Sequence, residues 1–283
     1  IIATIFIRNS IVVQSIKFKR YLPVGNPEIT AEAFSNWGAD EILLIDISAT
    51  KNKKSIDLDI VEKVASKCNV PLTVGGGISE PETIKSVLEA GADKICINAS
   101  ILDGKNCVKE GSKKFGRQCM VGSIDFIKQN DQYFVYDYRS SSITDKLLTD
   151  ALNEYVDKGC GELLINDVTR DGTQIGFDLE SIRDVIKNAS VPVIWSGGAG
   201  RPADFISALK NNTLSGVAAG NIFHFCEHSI SLVKSQVLKS VNIRYDTHLN
   251  YSDMHVTELG RVSKLSETQL ESLKFENLKM EKI

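Results

Sequence analysis

Short apolar runs recur along the first 220 positions of this chain and alternate with longer amphipathic stretches. The runs at 1–6, 41–46, 71–74, 94–97, 120–125, 162–167, 192–195 and 216–219 read as buried strands. Helical spacing fills the gaps, at about 31–37, 58–67, 81–90, 104–115, 144–158, 179–188, 202–210 and 228–238. Near-continuous apolar strands buried on both faces belong to parallel sheets. Eight strand–helix units predict an α/β fold closed as a (βα)8 barrel, with an open doubly wound sheet as the alternative.

An internal duplication favours closure. Gly38-Ala-Asp-Glu-Ile-Leu-Leu-Ile-Asp46 returns as Gly159-Cys-Gly-Glu-Leu-Leu-Ile-Asn-Asp167, 121 positions later. The same offset relates Asp57 to Asp178, Pro71 to Pro192, Gly76 to Gly197 and Pro81 to Pro202. A long period of strand–helix units means two copies of a half-barrel. Pro81 and Pro202 stand just inside helix starts, where a missing N–H costs nothing. Two stretches depart from the plain pattern. Residues 127–138 alternate around Asn130-Asp131 and read as a hairpin inserted after the fifth strand. The barrel is expected over 1–243 and a polar extension over 244–283. Within the extension, Ser266-Glu-Thr-Gln269 could cap a short helix carrying Leu270, Leu273 and Leu278.

Composition narrows the function classes. The chain has 283 residues, 42% of them hydrophobic, and a formal charge of −3. That is ordinary globular composition, with no basic footprint for nucleic acid. No apolar run reaches the roughly 18 residues of a membrane span, and no basic leader precedes the first strand. The chain does not start with Met, and residues are expected to precede Ile1. Six cysteines lack CxxC spacing and read as reduced thiols in a cytoplasmic protein. His224 and His228 lie four apart, but no third ligand is near, so neither a metal nor a cofactor is expected.

Candidate chemistry lies just past the strand ends, on the face where barrel active sites sit. Gly75-Gly76-Gly77 follows the third strand and Ser196-Gly197-Gly198-Ala199-Gly200 the seventh. Asn98-Ala99-Ser100 follows the fourth, and Ala219-Gly220-Asn221 the eighth. Glycine lets backbone N–H groups approach an anion, and the next helix adds its positive end. Two such clusters in one repeat predict two phosphate sites across one mouth, bridged by a substrate with a phosphate at each end.

These motifs resemble the cyclase subunit of imidazole glycerol phosphate synthase, a (βα)8 barrel of histidine biosynthesis. The resemblance covers about residues 1–243. It rests on Asp46-Ile47, on Pro-Leu-Thr-Val-Gly-Gly-Gly at 71–77 and on Gly-Ala-Asp-Lys at 91–94. Arg-Asp-Gly-Thr at 170–173, Ser-Gly-Gly-Ala-Gly at 196–200 and Ile-Phe-His-Phe at 222–225 complete it. It implies a partner glutaminase whose ammonia crosses the barrel to attack a two-phosphate aminoimidazole-ribulosyl substrate. It implies one phosphate site at Gly77 and Asn98, and another at Asp171, Gly172, Gly198, Gly220 and Asn221. It also implies a charged gate of Glu41, Lys94 and Glu162 at the barrel floor, with Asp93 beside the glutaminase. The gate's usual arginine would precede Ile1.

The resemblance breaks at the acid–base pair. The family carries aspartates at the ends of strands one and five. Strand five supplies Asp125, but strand one supplies Phe6, and the lysine expected after it is Gln14. Proton transfer needs both groups. Asp167 stands where the family mostly has serine and is a candidate compensating acid. Loss of the strand-one aspartate also resembles barrel paralogues of surface-polysaccharide gene clusters. Those pass ammonia to a separate amidotransferase acting on acetamido sugars, and this branch is favoured. A histidine-pathway cyclase, a non-catalytic scaffold that activates the glutaminase and a sister isomerase stay as alternatives. The stretch Lys17-Phe18-Lys19-Arg20 falls in the loop that closes over substrate in the family.

Overall fold

The computed structural model describes residues 1–210, 214–249, 251, 254–263 and 266–272. Eight parallel strands form the barrel: β1 (Ile2–Arg8), β4 (Glu41–Asp46), β5 (Leu72–Gly75), β6 (Lys94–Ile97), β7 (Met120–Gln129), β10 (Glu162–Asp167), β11 (Val193–Ser196) and β12 (Gly216–Ala219). Each pairs with its neighbour in that order. β12 returns to β1, and β10 pairs with β7, so the sheet closes. Two hairpins extend it. β2 (Ile11–Ile16) and β3 (Arg20–Gly25) follow β1; β8 (Gln132–Asp137) and β9 (Ser142–Leu147) follow β7. The helices are α1 (Pro27–Asn36), α2 (Leu58–Ala65), α3 (Pro81–Glu89), α4 (Ala99–Leu102), α5 (Cys107–Phe115), α6 (Leu148–Asp157), α7 (Leu179–Ile186), α8 (Pro202–Leu209), α9 (Ser229–Val237) and α10 (Glu267–Ser272).

Each half of the duplication uses its shared residues for the same physical task. Asp57 and Asp178 cap α2 and α7, accepting from the N–H of Asp59 and of Ser181. Pro81 and Pro202 open α3 and α8. The carbonyls of Pro71 and Pro192 accept from the N–H of Ile42 and of Leu163, starting the β4–β5 and β10–β11 ladders. Gly76 and Gly197 have φ of +127° and +106°, and a Cβ there would meet the carbonyls of Asp46 and Asp167 at 2.7 and 2.6 Å. Only glycine fits both the angle and the approach.

The main core lies between barrel and helices, with Trp195 packed edge-on to Phe126, ring centres 5.4 Å apart. A second cluster fills the lumen: Ile2, Leu43, Cys96, Val121, Leu164, Ile194 and Ala218.

The predicted strands hold to within a few residues, but three expectations change. The segment after β1 is a hairpin rather than a plain loop. α1 starts at Pro27 rather than 31, because Asn26 caps it by accepting from the Glu28 N–H at 2.9 Å. The insertion after β7 has a further strand, β9, where helix was expected from 144. The hairpin turn at Asn130-Asp131 stands as expected, both residues at positive φ. Described residues of the extension lie against the barrel. Thr247 Oγ1 donates to the Asn36 carbonyl, and Gly260 packs on Pro202. The predicted helix begins at Glu267; Leu273 and Leu278 lie outside the described residues.

Candidate active site

A cavity of about 660 Å³ opens at the C-terminal ends of the strands and runs down into the lumen. Its deep wall is Leu43, Cys96 and Leu164. Above them come Thr4, Ile45, Ser123, Asn166 and Ser196, then Phe6, Asn98 and Asp125. These sets follow from the pleat, since alternate residues of a barrel strand face inward.

Asp125 is buried. Its Oδ2 accepts from Asn98 Nδ2 and its Oδ1 from Asn166 Nδ2, both at 2.8 Å. Burial pushes its carboxyl up to about 7, against the lowering pull of the two amides. A carboxyl balanced near neutrality can give or take a proton. Phe6 reaches the same cavity from β1, so an aromatic ring takes the position of the expected second carboxylate. Gln14 lies on β2 opposite Leu22 and is not among the residues lining the cavity; its neighbour Ser15 is.

The structure brings Gly76, Gly77, Asn98, Ala99 and Ser100 together at one end of the cavity. Asn98 Oδ1 and Ser100 Oγ are buried without a hydrogen-bond partner among the described residues. The other expected anion site is covered. Asn221 Nδ2 donates to the Ser15 carbonyl at 2.6 Å, and the Ser15 N–H donates to Asn221 Oδ1 at 3.1 Å. Ser15 Oγ donates to Asp171 Oδ2 at 2.6 Å, and the Phe18 N–H donates to the same oxygen. Gly172 lies against the Ser15 carbonyl, Gly198 against that of Gly176, and Gly220 beside the Phe6 ring. The β2–β3 hairpin is thus stitched onto this half of the mouth. Burial pushes Asp171 up to about 6 despite the bond from Ser15.

Asp167 corrects the expectation of a compensating acid. It pairs in register with Phe126, whereas Asn166 pairs with Asp125. The pleat therefore turns Asn166 inward and Asp167 away, and Asp167 does not line the cavity. Its Oδ1 accepts from the Thr169 N–H, the Thr169 hydroxyl and the Arg170 N–H. Its repeat twin Asp46 does the same for Ser48 and Ala49. Both aspartates shape the turns that follow their strands.

At the opposite end of the barrel, Lys94 Nζ donates to Glu41 Oε2 at 2.9 Å and to Glu162 Oε2 at 2.8 Å. Thr73 Oγ1 donates to the other oxygen of Glu41. Burial opposes the lysine's charge, but bonds to Glu162 and Glu41 outweigh it and raise its pKa. The expected gate residues therefore meet. Asp93 is exposed beside them, its carboxylate accepting from the Leu72 N–H at 2.8 Å.

The two histidines pack against aromatic rings. His224 lies tilted against Phe34 with ring centres 5.1 Å apart, and burial lowers its pKa to about 4. His228 sits edge-on to Trp37 and hydrogen-bonds Tyr251 of the extension. Among the described residues, no group of three or more His, Cys, Asp or Glu is placed to hold a metal. All six cysteines are free thiols. No described helix is long and apolar enough to cross a membrane.

Sequence reasoning missed Asn166, Ser15, Tyr138 and Arg139, all of which line the cavity. Period-two counting back from Asp125 and its neighbour strand would have found Asn166. Arg139 holds Asp137 and Asp103 together, at 2.8 and 2.7 Å, and so ties the inserted hairpin to the rim.

A family model described as histidine biosynthesis protein matches residues 1–229. The chain is 38% identical to a Vibrio vulnificus protein named imidazole glycerol phosphate synthase subunit hisF2, a name marked there as provisional. That match covers 92% of this chain and 96% of the relative. It is also 38% identical to the HisF subunit of imidazole glycerol phosphate synthase of Staphylococcus saprophyticus, over 84% of this chain and 95% of that one. The HisF subunit of Clostridium botulinum is 39% identical, over 86% and 98%.

Proposed function

We propose that this chain, which belongs to the histidine biosynthesis protein family, is the cyclase-type subunit of an imidazole glycerol phosphate synthase system. A partner glutaminase docks at the floor, beside Asp93, Glu41, Lys94 and Glu162. Ammonia passes the Lys94 cluster, rises through the lumen and meets a two-phosphate substrate in the cavity. Gly77 and Asn98 hold one phosphate. Asp171, Gly172, Gly198, Gly220 and Asn221 hold the other once the hairpin moves off them. The reduced thiols fit a cytoplasmic setting.

Within that system we place the chain in the branch that delivers ammonia to a separate sugar amidotransferase. One observation carries this: Phe6 stands across from Asp125 where the reaction needs a second proton-transferring group. Asp125 alone can accept a proton from an incoming amine but has no partner acid for the leaving group. A second reading, the full histidine-pathway cyclase, draws support from Asp171. It is a buried carboxyl raised to about 6, hydrogen-bonded to the cavity-lining Ser15.

Steady-state conversion of the two-phosphate aminoimidazole-ribulosyl substrate, with saturating ammonium salt replacing the glutaminase, separates the two. Substrate binding without conversion is the expected result. Conversion well above background, abolished by Asp171→Asn, would overturn the branch assignment and install the cyclase.

A further inference from the structure

The barrel has two ends, and its exposed apolar side chains are not shared equally between them. Strands run towards the mouth and helices return from it, so each barrel helix starts on the mouth side. Among the described residues, the most exposed large apolar side chains are Leu259, Ile175 and Ile29, at 66%, 65% and 64%. Ile29 lies in the first turn of α1, Ile175 in the loop between β10 and α7, and Leu259 in the extension. Leu22 on β3 and Phe225, between β12 and α9, add to the same side. At the floor end, Leu238 stands just past α9, and the entrance itself is the charged cluster of Glu41, Lys94 and Glu162. One exposed apolar side chain needs no explanation, but several gathered on one face mark an interaction site.

The extension builds part of this face. It leaves the floor side, where Thr247 Oγ1 donates to the Asn36 carbonyl at 3.2 Å. It reaches the mouth side, where Gly260 packs on Pro202, the first residue of α8. There it makes a small antiparallel turn. Val256 bridges Val262, the Thr257 N–H donates to the Arg261 carbonyl at 2.7 Å, and Gly260 takes a φ of +75°. A pit of about 90 Å³ opens beside the tip, among Gln174, Phe225, Leu259 and Arg261. It has room for an apolar side chain from a partner. The Clostridium botulinum relative spends 98% of its own length on 86% of this chain, whereas the match to the Vibrio vulnificus relative reaches 92%. The family model starts at residue 1, so the length gained falls in the extension.

The rim beside this face is basic. Lys17, Lys19 and Arg20, at the tip of the first hairpin, are exposed and do not line the cavity. None of the three has an ion-pair partner among the described residues. A substrate inside the cavity leaves them unused, and they complement carboxylates on whatever covers the mouth.

We propose that the mouth face of the barrel, extension included, docks the ammonia-consuming amidotransferase through a partner surface that is apolar with an acidic edge. Neutral ammonia that escapes into water at neutral pH takes up a proton and ceases to be a nucleophile. A hand-off between two proteins therefore needs a dry junction at the cavity's opening. This inference rests on the branch assignment above and gives that partner its place on the chain.

The test is biolayer interferometry with the purified amidotransferase of the same surface-polysaccharide gene cluster, against the barrel with its glutaminase attached. The wild type should bind it, and the double variant Ile175→Glu, Leu259→Glu should weaken that binding by at least about tenfold. The same variant should keep glutaminase affinity to within about twofold, which also reports its folding. The triple variant Lys17→Gln, Lys19→Gln, Arg20→Gln should slow association by at least about threefold at low salt and by less at high salt. Leu238→Glu, at the floor end, is the control and should leave amidotransferase binding intact. Glutamine-fed amidation should fall in the double variant while ammonium-fed amidation holds. Unchanged binding in the double variant, or an equal loss in the control, would overturn the inference and leave the branch assignment standing. So would a wild type that self-associates in place of binding the amidotransferase, through a contact broken by Leu259→Glu, which gives the face to a second copy. No binding by the wild type overturns the inference as well; joined to conversion of the two-phosphate substrate, it sinks the branch assignment too.

Discussion

Asn166 donates from one amide nitrogen to two acceptors, Asp125 Oδ1 at 2.8 Å and Ser123 Oγ at 3.0 Å. Asn166 is the register partner of Asp125 on the next strand, so the barrel's own ladder sets this contact. The amide stabilises the charged carboxylate in a place where burial disfavours it. Asn166→Leu should therefore push the Asp125 carboxyl up from about 7. A pH profile of any Asp125-dependent step, or carboxyl-carbon NMR, reads the shift. An unmoved midpoint would mean the amide is only packing.

Asp125 also makes stability depend on pH. Its folded pKa of about 7 lies above the ordinary carboxylate range, so the folded chain keeps a proton that the unfolded chain releases. The contribution is present below about pH 4 and is lost as pH rises through about 7. Asp125→Asn should be more stable than wild type at about pH 8, by roughly 2–4 kcal/mol, and the gap should close towards pH 4. Urea unfolding at the two pH values measures it.

Restoring the missing carboxylate is the converse experiment. Phe6→Asp would place a second acid in the cavity facing Asp125. Like charges sharing a site cannot both ionise easily, so the pair should titrate in two steps, one above about 7. Appearance of ammonium-driven conversion in this variant would locate the branch point in one residue.

The floor cluster predicts a split between nitrogen sources. Lys94→Met leaves Glu41 and Glu162 facing each other without their shared cation. Stability should fall by about 1–3 kcal/mol, a range discounted because the three side chains are partly hydrated. With the glutaminase attached, glutamine-fed flux should fall further than ammonium-fed flux. Equal losses would remove the floor from the ammonia route.

Asn221→Ala strips two hydrogen bonds from the Ser15 backbone, one of them satisfying a buried N–H. The expected cost is about 1–3 kcal/mol. Hydrogen exchange over residues 11–25 should quicken while α2 and α3 stay protected. Asp167→Asn should instead cost about 1 kcal/mol through its turn and leave the pH profile untouched.

The barrel was legible because each inner strand is a bare apolar run, and because the 121-residue offset recurs with fixed physical tasks. Glu41, Lys94 and Glu162 were placed together by resemblance, and strand geometry does bring them into contact. Asp167 misled because carboxylate identity was read without the pleat: in a strand, adjacent residues face opposite sides, and the turn claimed the outward one. The β2–β3 hairpin is less legible: Asn9-Ser10, both at positive φ, turn β1 into β2, but the turn into β3 falls on Lys17-Phe18, also at positive φ, which carry no turn chemistry. Phe6 was readable from sequence alone, since it needed only its place at the strand end.

Glu41 and Glu162 are repeat twins, but Lys94 has no twin; its counterpart is Ser215. One cation shared by two acids leaves the floor with a surplus negative charge, which draws small cations to the entrance. Immediately beyond lies a ring of Leu43, Leu164, Ile194 and Val121 with nothing to solvate an ion. On the proposed ammonia route, that order would make the barrel a charge filter in series, gathering ammonium at the threshold and passing only the neutral molecule.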